Sequence, residues 1–168
     1  MSGFMFGGSA LTLDIGVQNA TGLSLEHGDV VQVALLNADA ADGFRAVIPD
    51  VANATIGQYA PVGVVQAPEG HTIPNTEDMI IRILGVTDVS LQVNAGTLYT
   101  RDEVSNVNNA GGAGVRCTIA ASAAVSSTAA AAGLQQMSRA HAVILGPTVT
   151  TAGTGARERV RCWFNGLP

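Results

Sequence analysis

Lysine is missing altogether from this 168-residue chain; its eight basic residues are all arginine, the first at Arg45. At a net charge of −5 there is no positive stripe to follow a phosphate backbone, which argues against nucleic acid as a partner. The same shortage argues against an anionic membrane surface. A Walker-type phosphate loop is excluded, because that motif needs a lysine. No run approaches the 18 or more apolar residues of a membrane span. The first residues, MSGFMFGGSALTL, lack the basic start and long apolar stretch of a signal peptide, so the chain is expected to be made in the cytoplasm. Two cysteines, Cys117 and Cys162, are too few for a disulfide framework. Buried free thiols are the simplest reading, and a bridge between them stays open.

Charge and aromatics are scarce as well. Charged residues are 12% of the chain, well under the usual quarter, and seven residues are aromatic. With 47% hydrophobic residues and 20 glycines, much small apolar surface must remain outside. Such surface commonly ends against a partner, although a bias towards small residues gives the same composition. The length suits one domain with its own core.

What is present is a pattern that occurs twice, 79 residues apart. VGVVQAP from Val62, a polar loop and MIIRILG are matched by HAVILGP from His141, a loop and ERVRCWF. Val64 falls on Val143, Pro68 on Pro147, Thr72 on Thr151 and Arg82 on Arg161. Each copy reads as an apolar strand ended by proline, a loop, and a second strand carrying an arginine, which predicts duplicated hairpins. Elsewhere, Leu11, Leu13, Ile15 and Val17 alternate with Thr12, Asp14 and Gly16, predicting a strand with one apolar face. VVQVALL reads as a buried strand after the Gly28-Asp29 turn, and FRAVIPD, TLYT and VRCTI as short ones. Gly85 is predicted to bend the first copy into VTDVSLQV. About ten short strands indicate an all-β barrel or sandwich. The alanine-rich stretch 120–140 allows at most one short helix. Residues 1–9 read as a flexible arm before a single β domain at 10–168, with Phe4 and Phe6 as apolar anchors to be buried on binding.

No constellation carries chemistry. His27, His71 and His141 are scattered without zinc-ligand spacing. Asn37, Asp39 and Asp42 precede Gly43, but the glycine is late for a calcium loop and Ile48 cannot supply the closing carboxylate. Glu77-Asp78 and Asp102-Glu103 suit solvated strand ends, and the glycines at 111–114 and 153–155 suit turns. Asn19-Ala-Thr21 and Asn53-Ala-Thr55 are sequons without an export signal. No catalytic residue, metal site or cofactor is expected. The arginines on apolar strands, Arg82, Arg116, Arg159 and Arg161, are either solvated or part of an interface. On a regular strand Trp163 shares a face with Arg161, while Val160, Cys162 and Phe164 take the other. Phe4, Phe6, Arg82, Arg161 and Trp163 are therefore the candidate contact residues.

In order along the chain, GDVVQVAL, Pro61-Val62-Gly63-Val64, Ile81-Arg82-Ile83-Leu84-Gly85, Ala95-Gly96-Thr97-Leu98-Tyr99 and the strand Arg159–Phe164 make a recognisable series. It resembles the small capsid decoration, or cement, proteins of tailed bacteriophages over residues 28–166, with longer loops at 66–78 and 145–157. The resemblance implies a β-tulip-like barrel and a homo-oligomer, a trimer. It also implies a place on the outer capsid surface of the virion, bridging neighbouring copies of the major capsid protein. A tail, fibre or other surface structural module is the alternative that such a β-rich chain also suits.

Overall fold

The computed structural model describes residues 11–35, 43–48, 61–91, 98–99, 104–108, 118–120, 142–151 and 158–167, and they contain thirteen strands and no helix. The first seven are β1 (Leu13–Asn19), β2 (Leu25–Glu26), β3 (Val30–Leu35), β4 (Phe44–Val47), β5 (Val62–Gln66), β6 (Thr72–Ile73) and β7 (Asp78–Ser90). The others are β8 (Leu98–Tyr99), β9 (Val104–Asn108), β10 (Thr118–Ala120), β11 (Ala142–Ile144), β12 (Val149–Thr150) and β13 (Arg159–Asn165). The predicted arm at 1–9, most of the alanine-rich stretch, Cys117 and His141 lie outside the described residues.

Strands β1, β4, β3, β5 and β7 pair in that order, and β7 pairs back to β1. This closes a five-stranded barrel in which only the β1–β4 contact is parallel. Closure removes the edges that an open sheet of this size would expose. Val17, Val31, Val33, Ala46, Val65, Met79, Ile81 and Ile83 fill the interior, joined by Leu25 and Ile73 from the paired β2 and β6. Gly63 faces this interior with little room to spare: a Cβ there would meet Ile81 Cδ1 at 2.7 Å.

A second core lies outside the barrel. From β7 the sheet continues through β13, β11, β9 and β10. Ala142, Ile144, Val160, Cys162 and Phe164 of this extension pack with Val89 and Leu91 against Val30, Val62 and Val64. Strand β5, and β3 at Val30, are thus covered on both faces, which explains why VGVV reads as a continuous apolar run instead of an alternating one.

The sequence placed a bend at Gly85; β7 continues through it as one 13-residue strand, and burial alternates along it as far as Val89. What changes at Gly85, which has φ 124°, is the partner. Strand β5 pairs with β7 up to Arg82, and β13 from Leu84 onward. Gly166 closes the junction: its N–H donates to the Ile83 carbonyl, and its own carbonyl accepts from the Val62 N–H. A Cβ at Gly166 would collide with the Val62 carbonyl, so glycine is required there. On the other side of β7 the β1 register slips. Asp14 stands opposite Arg82 but Leu13 opposite Leu84, leaving Ile83 as an extra residue. The slip corrects the expected single apolar face: Ile15 and Val17 turn inward, whereas Leu11 and Leu13 are exposed.

Both repeat copies are antiparallel hairpins, β5–β7 and β11–β13. Their registers differ by two residues, since Val64 faces Arg82 whereas Val143 faces Trp163 instead of Arg161. A shift of two preserves the faces. The fates of those faces differ: Val64 is buried under the second layer, and Val143 is exposed.

Candidate assembly surface

The β13 residues Val160, Cys162 and Phe164 point into the second core, and that alternation sends Arg161 and Trp163 to the opposite face. Cross-strand pairing then assembles a surface. Trp163 stands between Val86 of β7 and Val143 of β11. Beside this row, Arg161 stands opposite Asp88 and its carbonyl accepts from the Leu145 N–H. On the other side, Leu84 lies between Leu13 and Asn165. The result is an apolar band across four strands in which Leu13, Val143 and Leu145 are exposed and Trp163 half-buried.

Two arginine–aspartate pairs edge the band. Arg82 grips Asp14 through Nε and Nη2, both at 2.8 Å, and its Nη1 donates to the Val86 carbonyl at 2.8 Å. Arg161 contacts Asp88 in the same two-pronged way at 3.1 Å. Hydrogen bonding to Asp14 and to Asp88 raises the affinity of Arg82 and Arg161 for their protons. The face is therefore apolar at its centre, with charges already matched at its edge, so docking would not bury a lone charge.

The hydrogen bond from Arg82 holds the Asp14 carboxyl below its ordinary value of 3.8, against partial desolvation. Because the folded-state value is depressed, the stabilisation is present above the unfolded value and fades as pH falls through the folded one. Asp14→Asn should lower stability at neutral pH by less than about 1 kcal/mol, since the pair is partly solvated. In strongly acidic solution the variant and the parent should become equally stable. Urea titrations at several pH values check both statements.

Of the residues nominated from sequence, Arg82, Arg161 and Trp163 come together on this face, while Phe4 and Phe6 lie outside the described residues. Asp14, Asp88, Val143 and Leu145 were not singled out as contacts. Val86 did leave a signal, because it is out of phase with Val89 and Leu91 and so had to face the other way. Cys162 is fully buried, and burial pushes its thiol up to about 12, which makes it a packing residue without nucleophilic character. Burial lowers the pKa of His27, helped by the nearby Arg159 charge, and its Nδ1 accepts the Ala67 N–H at 3.3 Å. Among the described residues no group of three His, Cys, Asp or Glu side chains is arranged to hold a metal ion, and no helix is long and apolar enough to cross a membrane.

The fold and this face define an all-β barrel with a second sheet layer and a partly exposed apolar band. No protein-family model matches the chain, and no curated protein matches it. Among solved structures, the head fiber gp8.5 N base of bacteriophage phi29 aligns with 94% of this chain and 97% of its own, at a TM-score of 0.44 and 9% identity. At that score and identity the likeness carries neither the fold nor the function of this chain, which rest on its own residues.

Proposed function

We propose that the protein is a structural component of a tailed-phage virion that sits on the outside of the head and bridges neighbouring major capsid subunits. The observation that carries this reading is the convergence of Arg82, Arg161 and Trp163 on one exposed, charge-matched apolar face. The ordered series of motifs resembling capsid decoration proteins supports it. The mechanism is mechanical. A pressurised shell fails where neighbouring subunits part, and a protein seated across that seam must be detached before the seam opens. Apolar area buried there contributes about 25 cal/mol per Å² before the costs of association. Many copies multiply a modest gain per site.

The test is binding of the purified protein to heads that lack it, followed by heating of bare and decorated heads. Decorated heads should survive to higher temperature. Heads that are equally robust with and without the protein would rule the cement role out, and density on a tail or fibre would favour the other structural reading. Trp163→Ala should cost the isolated subunit no more than about 1 kcal/mol, yet weaken head binding roughly 30-fold or more, as expected for a central aromatic anchor. Full-strength binding by that variant would remove this face from the interface.

A further inference from the structure

Asn165 and Gly166 form the only Asn-Gly pair in the chain. In such a pair the main-chain nitrogen of the glycine can attack the side-chain carbonyl carbon of the asparagine, because no Cβ crowds its approach. The junction between β5, β7 and β13 places both residues. Asn165 ends β13 opposite Leu84; it is exposed, and its Oδ1 accepts from the Leu167 N–H at 3.3 Å. Gly166 is buried. Its N–H donates to the Ile83 carbonyl at 2.7 Å, and its carbonyl accepts from the Val62 N–H at 2.9 Å. A Cβ there would meet the Val62 carbonyl and stand 2.9 Å from the Phe164 ring. Packing therefore imposes the one neighbour that makes an asparagine labile, and holds its nitrogen in a hydrogen bond.

We propose that Asn165 is a deamidation site gated by this junction: shut while Gly166 is bonded to Ile83 and Val62, and open once the end of β13 detaches. Water is the only co-reactant. The Gly166 nitrogen bonds to Cγ of Asn165, and the Cγ–Nδ2 bond breaks. The proton lost by the nitrogen passes through solvent to Nδ2, which leaves as ammonia, and a five-membered succinimide remains. Water then opens the ring at either carbonyl, giving aspartate or, with the main chain rerouted through the side chain, isoaspartate. In the folded chain the hydrogen bond to Ile83 holds the nitrogen's proton, and burial keeps solvent base from it. The extended backbone at the end of β13 also keeps that nitrogen turned away from the Asn165 side chain. The two products differ in consequence. Aspartate leaves the backbone as it was and puts its charge at an exposed position, where an oxygen can still accept from Leu167. Isoaspartate adds one carbon to the main chain before Gly166, so its two hydrogen bonds no longer fit together. A subunit that has opened and reacted this way cannot close again. This goes beyond the virion reading and concerns the chain's own chemistry.

The experiment incubates the folded chain, and the same chain unfolded in urea, in one mildly alkaline buffer and follows Asn165 by peptide mass spectrometry. The folded chain should deamidate there roughly 10-fold or more slowly than the unfolded one, because only the opened junction reacts. In the unfolded chain Asn165 should react ahead of every other asparagine. Asn165→Gln, whose longer side chain must close a larger ring, should stay unmodified at this position over the same period. Unfolded material that has reacted is then returned to native conditions. Its aspartyl form should show the parent's urea midpoint, as should the variant Asn165→Asp, whereas its isoaspartyl form should show a lower one. Equal rates in the folded and unfolded chains would overturn the proposal, and so would an unfolded chain that keeps Asn165 intact. An isoaspartyl form as stable as the parent would overturn the claim that the junction cannot close again. Head binding plays no part in these measurements, so their failure leaves the virion reading standing, and the reverse holds too.

Discussion

Phe164→Ala is expected to lower the unfolding free energy by about 3–5 kcal/mol, enough to unfold a domain of ordinary stability. Phe164 is fully buried in the second core and is the largest side chain in it among the described residues. Its cross-strand partners are Ala142 on β11 and Gly85 on β7, both small, so the ring occupies space that neither neighbour can fill. Removing it leaves a cavity beneath β5, whose Val62 and Val64 rest on this core. The junction at Gly166 is affected too, because the position of a Cβ there is 2.9 Å from the Phe164 ring. Phe164→Leu keeps most of the apolar volume and should cost clearly less. Urea unfolding of the three proteins decides the matter. An alanine variant as stable as the parent would mean that the second layer contributes little to folding.

That prediction follows from a register already legible in the sequence, because period-2 geometry within one strand is local. Val160, Cys162 and Phe164 could be separated from Arg161 and Trp163 without knowing any neighbour. The duplicated hairpins were legible for the same reason, as each joins strands linked by one loop. Four things were not. Closure of β7 onto β1 depends on pairing between distant segments, and alternation in β1 gave no sign that its register would slip at Leu13. The continuity of β7 through Gly85 was hidden, since a glycine at positive φ serves a bend or a close backbone approach equally well. The partners of the arginines were hidden most completely. Asp14 and Asp88 lie 68 and 73 residues from Arg82 and Arg161, and nothing local marks them as their counterparts.

The apolar band shows where this composition leaves its few large side chains. Small residues let the sheets pack closely, and the few large apolar side chains outside the cores are partly gathered on one face. Arg82 serves both levels: it joins β1 to β7 through Asp14 and fixes the Val86 carbonyl at the edge of the band. Loss of Arg82 would therefore loosen the surface as well as remove a charge.

Asn19→Asp is expected to destabilise the protein by several kcal/mol at neutral pH, on the order of 3–5 kcal/mol, for a reason unrelated to volume. The sequence offered Asn19-Ala-Thr21 only as a sequon. In the fold the Asn19 side chain is fully buried and bonded at both ends. Its Nδ2 donates to the carbonyls of Leu23, Ile73 and Pro74 at 2.8, 3.1 and 3.0 Å. Its Oδ1 accepts from the Thr21 N–H at 3.1 Å and from the Thr21 hydroxyl at 2.7 Å. One amide thus ties the turn after β1 to the segment after β6, where the Thr76 N–H also donates to the Asn19 carbonyl. A carboxylate has the same shape but no donor. It would aim a charged oxygen at three carbonyl oxygens that had been satisfied. The fold would favour the protonated carboxyl, which can still donate one bond, so the pKa of the new side chain must be raised in the folded state. By linkage, stability in the variant is greatest below the unfolded carboxylate value and is lost as pH rises through the folded one. The gap between variant and parent should therefore narrow as pH falls. Asn19→Ala, which leaves the carbonyls unpaired but adds no charge, should show a smaller loss and no such narrowing. Urea midpoints from pH 3 to pH 7 for the three proteins measure both. An Asp variant whose deficit is the same at every pH would show that the amide donor is not what holds the two segments together.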